Sequence, residues 1–266
     1  MRLKVLSLIF IFFSLAALAG SGEAINSSSN NDKLLASAAE AEVTADNNSK
    51  LLLAEEKLNQ LYRSIDYGKN ARPAYDVFRK GMVGYLNLLR QDKISNKGIL
   101  TIIDFSIPSV KKRLWVFDLK NRKLLFHDLV AHGKNSGHNI ANAFSNIPES
   151  NQSSLGFYVT ANTYVGKHGL SLRLKGQETG FNDKAMARAI VMHGADYVNT
   201  SIIKSMGRLG RSFGCPALSR AISDQVINTV ADRTCLFIYH PSKEYLDNSV
   251  YLQEAGAIDY LLATNI

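Results

Sequence analysis

What most constrains this chain is a succession of short runs dense in Ile, Val, Leu, Phe, Tyr and Trp, at residues 99–105, 113–119, 123–130, 157–161, 170–174, 189–193 and 235–239. Each is brief for a helix, and most hold β-branched or aromatic side chains, which suit a pleated, half-buried surface. Asp118 to Lys123 supplies the polar residues of a hairpin link. Two stretches read as helices instead, residues 196–206 and residues 219–230, where Ile222, Val226, Ile227 and Val230 share a face. The sequence therefore predicts a mainly β fold with flanking helices, one domain over residues 96–245 that is long enough to bury its own core. Residues 133–154 hold Asn, Ser and Gly with little periodicity, and a loop of that length in a compact domain commonly carries function.

Ahead of this domain, residues 51–95 read as a helical hairpin. Leu52, Leu53, Leu58, Leu61 and Tyr62 keep a helical period, and a second helix begins at Pro73 with Val77, Phe78, Met82 and Leu86 on one face. Residues 246–266 read as a helical tail. Residues 20–50 have too little apolar surface to fold and read as a disordered linker. Residues 1–19 combine Arg2 and Lys4, the apolar run from Val5 to Phe13 and the small residues of Ala17-Leu18-Ala19, in the order of a cleavable signal peptide. That run is short for a membrane span of roughly 20 residues, although an uncleaved signal anchor is the competing reading. Cleavage would leave a periplasmic or secreted chain without a stable membrane anchor. The formal charge of +8 would fall by two with Arg2 and Lys4. Mild basicity suits an anionic polymer, and no basic patch interleaved with aromatics points to nucleic acid. The oligomeric state is not legible.

Two cysteines are present, Cys215 and Cys235. In an oxidising compartment one disulfide is the default pairing. Residue context favours a different reading. Cys235 sits in an apolar strand that needs only a small side chain there. Cys215 lies between Gly214 and Pro216, in a loop that also holds Gly207, Arg208, Gly210, Arg211 and Ser212. Glycine lets a backbone turn sharply and approach a ligand, and such a loop can aim N–H groups at a developing oxyanion. A thiol reacts as thiolate and needs a base or a positive charge nearby. His193, followed by Gly194 at the end of an apolar strand, is the best candidate base. His168 lies in a glycine-flanked turn, which is either solvated or lines a cleft. Arg173 alternates with Leu172 and Leu174, so it faces solvent or substrate. A metal site would need ligands that converge; the spacing of His127, His132 and His138 matches no compact ligand pair, and neither metal nor cofactor is expected.

These residues resemble a known family. Gly210 to Ala217, read as Gly-Arg-Ser-aromatic-Gly-Cys-Pro-Ala, together with His193-Gly194 and the strand from Ser153 to Val159, is similar to the murein L,D-transpeptidase (YkuD-like) catalytic domain over residues 99–239. Two positions depart from the broad family pattern: Phe213 stands where histidine is usual, and Ala217 where Arg or Asn is usual. The resemblance implies a YkuD-like β-sandwich-type domain that needs no cofactor. It implies a cysteine-dependent L,D-transpeptidase acting on peptidoglycan stem peptides through a thioester. Catalysis would rest on Cys215, His193, Gly214 and Ser212, with Arg211, Arg208, His168, Gly194 and Arg173 about the substrate. An L,D-carboxypeptidase on the same stems, and a catalytically degenerate cell-wall-binding protein, are the alternative functions.

Overall fold

The computed structural model describes residues 28–264. The expected signal peptide over 1–19 and the first residues of the expected linker lie outside the described residues. The chain divides into two units, Met1–Asp46 and Asn47–Ile266. Helix α1 spans Ser28–Ser64, so helix begins well inside the segment expected to be disordered. The reason lies in residues 33–45, where Ala, Leu, Lys and Glu, all strong helix formers, outweigh the polar residues around them. In the second unit α1 buries Ala54, Leu58, Leu61 and Ile65. Helix α2, Tyr75–Arg90, starts two residues past Pro73, whose carbonyl accepts a hydrogen bond from the Tyr62 hydroxyl at 2.7 Å. Its apolar face, with Phe78, Met82 and Leu86, packs into the core.

Nine strands form one mixed sheet in the order β3-β2-β1-β9-β5-β6-β7-β8-β4. They are β1 Ile99–Asp104, β2 Leu114–Asp118, β3 Lys123–Asp128, β4 Val130–Ala131, β5 Gly156–Gly166, β6 Gly169–Gly176, β7 Val191–Ala195, β8 Ala217–Ser219 and β9 Cys235–Tyr239. Helices α3, Thr200–Met206, and α4, Ser223–Val230, flank it, and α5, Lys243–Asn248, and α6, Ala255–Ala263, follow. The fold is thus mainly β with flanking helices, as the residue pattern implied. The first and last strands of the order, β3 and β4, are separated in the chain by Leu129 alone. The sheet must therefore curl until its two edges meet, and its inner face encloses the core. Arg113, fully buried, pins this seam: its Nε and Nη2 donate to the Val130 carbonyl at 3.1 and 2.8 Å, and its Nη1 to the Ile107 carbonyl at 2.7 Å.

The curl decides which face each strand presents. Along β7, Met192 points into the main core, while Ala195 joins Ala131 and Ala217 in a small apolar cluster on the opposite face, capped by Val198 and Leu209. His193 and Val191 alternate with Met192 and so share the Ala195 face. Between β4 and β5 the chain makes no regular strand or helix, only the bridges Gly133↔Ser212 and Gly137↔Ala141. Among the described residues no helix is long and apolar enough to cross a membrane.

Candidate active site

His193 sits in the middle of β7, between Ser171 of β6 and Ala217 of β8. Cys215 lies two positions before Ala217, just outside the strand, and its side chain packs at the edge of the main core beside Val191. The Val191 N–H donates to Cys215 Sγ at 3.5 Å, and Sγ lies 3.8 Å from the Ala189 carbonyl oxygen. Both cysteines are free thiols: Cys215 is half-buried and Cys235 is buried in β9.

The His193 ring is oriented from behind. Its Nδ1 lies 3.0 Å from the Gly194 carbonyl oxygen. A carbonyl only accepts, so Nδ1 carries the proton and Nε2 keeps a lone pair. Gly194 also permits close packing, since a Cβ there would come within 2.5 Å of Ser223 Oγ. His168, at the turn between β5 and β6, stacks on His193 with ring centroids 4.3 Å apart and planes 21° from parallel. Burial pulls His193 below the usual imidazole range; the Gly194 carbonyl opposes this, and His168, Arg220 and Lys167 add to it by repulsion. Burial pushes the Cys215 thiol up, opposed by the Val191 N–H and then by Arg188 and Lys167. The resting pair is therefore a neutral thiol and a neutral imidazole. They do not hydrogen-bond to each other in this structure, and in unliganded sites such contacts are often long.

The cysteine loop is clasped by residues 132–153. Ser212 N–H donates to the His132 carbonyl at 3.0 Å, and Lys134 N–H to the Ser212 carbonyl at 2.7 Å. Ser212 Oγ bridges its own loop, donating to the Cys215 carbonyl at 2.6 Å and accepting from Gly214 N–H at 3.1 Å. Ser153 Oγ donates to the Gly214 carbonyl at 3.1 Å. Gly214 adopts φ +124°, where an added Cβ would lie 2.8 Å from the Gln152 carbonyl oxygen. Gly214 thus gives the loop its conformation, while its N–H is already engaged.

The arginines are distributed unevenly about the thiol. Arg211 Nη1 donates to the carbonyls of Lys134 and Gly137 at 2.7 and 2.8 Å. Arg208 Nη1 donates to the Leu209 carbonyl at 2.7 Å. Arg173 lies over the Tyr164 ring, 4.2 Å from its centroid. Sequence reasoning missed Arg188, the arginine that interacts with Cys215, and Tyr197, whose hydroxyl is pushed up to about 12 by burial and by Cys215. Neither follows a spacing pattern; each is brought to the thiol by a turn. Phe213 is 67% exposed, with the Lys134 ammonium 4.5 Å above its ring, and Ala217 is fully buried in β8. His132 is an internal pin, accepting from Arg113 at Nδ1 (2.8 Å) with Nε2 3.3 Å from the Gly137 carbonyl. His127 stacks on Trp115. Among the described residues no group of three or more His, Cys, Asp or Glu side chains is placed to hold a metal ion.

The curled mixed sheet thus sets the end of the cysteine loop alongside the strand that carries His193. Residues 69–239 match the family profile of the L,D-transpeptidase catalytic domain. The chain belongs to this family, and the match takes in α2 as well as the sheet. Similar solved structures include an L,D-transpeptidase from Mycobacterium smegmatis (13% identity, 54% of this chain and 59% of that one, TM-score 0.34). Another is the helical cell shape determining protein Pgp2 from Campylobacter jejuni (11% identity, 60% and 57%, TM-score 0.36). A third is Bd1075 from Bdellovibrio bacteriovorus (16% identity, 58% and 55%, TM-score 0.35). The chain spans less than two thirds of the length of each. A search of curated proteins returns no match.

Proposed function

We propose that this protein is a cysteine-dependent L,D-transpeptidase of peptidoglycan stem peptides, with Cys215 as nucleophile and His193 as general base. The observation that carries the reading is the pairing of β7 with β8, which brings the end of the cysteine loop alongside the strand of His193, whose Nδ1–H is held by the Gly194 carbonyl. His193 Nε2 takes the Sγ proton as sulfur attacks the carbonyl carbon at the L-centre of the stem's third residue. The tetrahedral adduct collapses, the amide C–N bond breaks, and D-alanine leaves with the proton from His193. An amine of a second stem then attacks the thioester, the C–S bond breaks, and the thiol recovers its proton. Water in place of the amine would make the same site an L,D-carboxypeptidase. The family membership supports a peptidoglycan substrate, and the order of residues 1–19 supports a periplasmic or secreted location. No cofactor enters any step.

The test is intact mass of the folded protein after exposure to a carbapenem, followed by peptide mapping. One adduct on Cys215, and none in Cys215→Ala, is expected. A wild-type protein that stays unlabelled would sink the nucleophile and leave a cell-wall-binding role. Product masses from disaccharide-tetrapeptides then separate the reactions: crosslinked dimers for transfer, shortened stems for hydrolysis.

A further inference from the structure

The strongest unassigned feature near the thiol is a cation without an anion. Arg188 precedes β7 and is half-buried. Nη1 donates to the Ser145 carbonyl at 2.6 Å and to Ser154 Oγ at 3.3 Å; Nη2 donates to the Gln152 carbonyl at 2.6 Å and to Ser150 Oγ at 3.2 Å. All four acceptors are neutral, so the positive charge is solvated by oxygens but not cancelled. A charge of this kind keeps its field in a half-buried site far better than it would in water.

Its position is set by the chain on both sides. Ala189 takes a left-handed conformation, φ +53°, a strain that a non-glycine residue bears only where the surroundings impose it. That turn brings the Ala189 carbonyl to Cys215 Sγ and leaves the Arg188 side chain under the cysteine loop. Nη2 would lie 3.4 Å from a Cβ placed on Gly214, and the Gln152 oxygen it holds would lie 2.8 Å from the same point. The other nearby arginines are directed elsewhere, onto backbone oxygens at 134, 137 and 209 or onto the Tyr164 ring, which leaves Lys167, on the turn between β5 and β6, as the second and weaker cation acting on the thiol.

We propose that Arg188 is the positioning residue of this site: clamped on the Ser145 and Gln152 carbonyls beneath Gly214, it shapes the cysteine loop and supplies the uncancelled positive charge that favours the Cys215 thiolate. The proposal rests on the nucleophilic reading of Cys215, but it is written on the thiol and not on a product. It accounts for Ala217, where the broad family has Arg or Asn, because the cation enters from before β7 and not from β8. Four of its five N–H groups are already used, so Arg188 acts through Cys215 and its loop.

The experiment measures the rate of Cys215 alkylation by iodoacetamide against pH, by intact mass, on the full chain and on Arg188→Gln and Arg188→Lys, with circular dichroism as the check on folding. Arg188→Gln is expected to raise the midpoint by about one pH unit and so to slow alkylation at neutral pH about tenfold. Arg188→Lys keeps the charge and is expected to stay near the wild-type midpoint while melting at lower temperature. An unchanged midpoint in folded Arg188→Gln overturns the proposal. If that variant does not fold, Arg188→Lys decides: a midpoint raised by a full unit despite the retained ammonium overturns it equally. A protein inactive on muropeptides but showing the expected shift would count against the enzyme reading and not against Arg188.

Discussion

At the scale of single residues, the pair Cys215 and His193 is tuned in opposite directions. His193 is held below the usual imidazole value and the thiol above its own, chiefly by burial in both cases. Under the proposed mechanism a neutral pair is expected to give a rate of acylation that is flat across neutral pH. It falls only as pH drops through a His193 value below 6.5 and Nε2 is protonated. His168 contributes to that low value by repulsion and by covering the ring. Replacing it in His168→Ala removes both effects, and both removals raise the His193 value. The acid limb of carbapenem acylation is therefore expected to move to higher pH, and an unmoved limb would show that the stacked ring has no electrostatic role. His193→Ala should lower the acylation rate by about 10²–10⁴-fold, the usual worth of a positioned base. The two residues of the pair could be named from the sequence. The contrast between a thiol among glycines and arginines and one inside an apolar strand separated Cys215 from Cys235. His193 could be named because it is the polar residue that closes the apolar run 189–192, although it sits in the middle of β7 and not at its end. Arg188 could not be named. A half-buried arginine under a loop is recognisable only from its partners, and Ser145, Gln152 and Ser154 are 34 to 43 positions away.

At the scale of elements, the cysteine loop depends on backbone geometry more than on its side chains. Gly214 at φ +124° lies against the Gln152 carbonyl and the Ile190 side chain, 2.8 and 3.0 Å from where a Cβ would be. Gly214→Ala must move one of them or change φ, at a cost of about 1–3 kcal/mol. The expected result is a lower melting temperature together with loss of Cys215 labelling; a variant that melts lower yet labels normally would mean that the loop tolerates the shift. The strands show why element reading succeeds unevenly. The seven apolar runs all appear in the sheet, because short apolar runs bounded by polar or glycine residues suffice to mark a strand. Strands β4 and β8 escaped as separate elements, being only Val130–Ala131 and Ala217–Ser219. Pairing with each other, and of β8 with β7, makes them strands, and pairing between distant segments leaves no local period. Helix α1 failed in the other direction. Its Ser and Asn residues suggested disorder, but alanine and glutamate between them favour helix whenever no competing turn is set.

At the scale of the whole molecule, the curled sheet has to be closed around the core, and buried polar groups do part of that work. Arg113 holds the seam between the edges. On the far side Glu178, also buried, gathers three groups from separate parts of the chain: the Phe157 N–H of β5 at 2.7 Å, the Tyr245 hydroxyl of α5 at 2.9 Å, and the Ser249 hydroxyl. It is thereby the tie between the sheet and the segment that follows β9. Burial raises its carboxyl above the usual value, while the Ser249, Phe157 and Tyr245 hydrogen bonds oppose the rise. A folded value above the unfolded one means a contribution to stability that is complete below the unfolded value and lost as pH rises through the folded one. Glu178→Gln keeps an oxygen for Phe157 and Tyr245 and an amide to donate to Ser249, but does not titrate. Its stability in urea is thus expected to gain on the wild type as the pH is raised from about 4 to about 7. Glu178→Leu leaves two or more buried donors unpaired and should be about 3 kcal/mol less stable than Glu178→Gln at any pH. A difference between Gln and wild type that stays constant over that range would mean that Glu178 titrates as it does in the unfolded chain, and that hydrogen bonding, not burial, governs this tie.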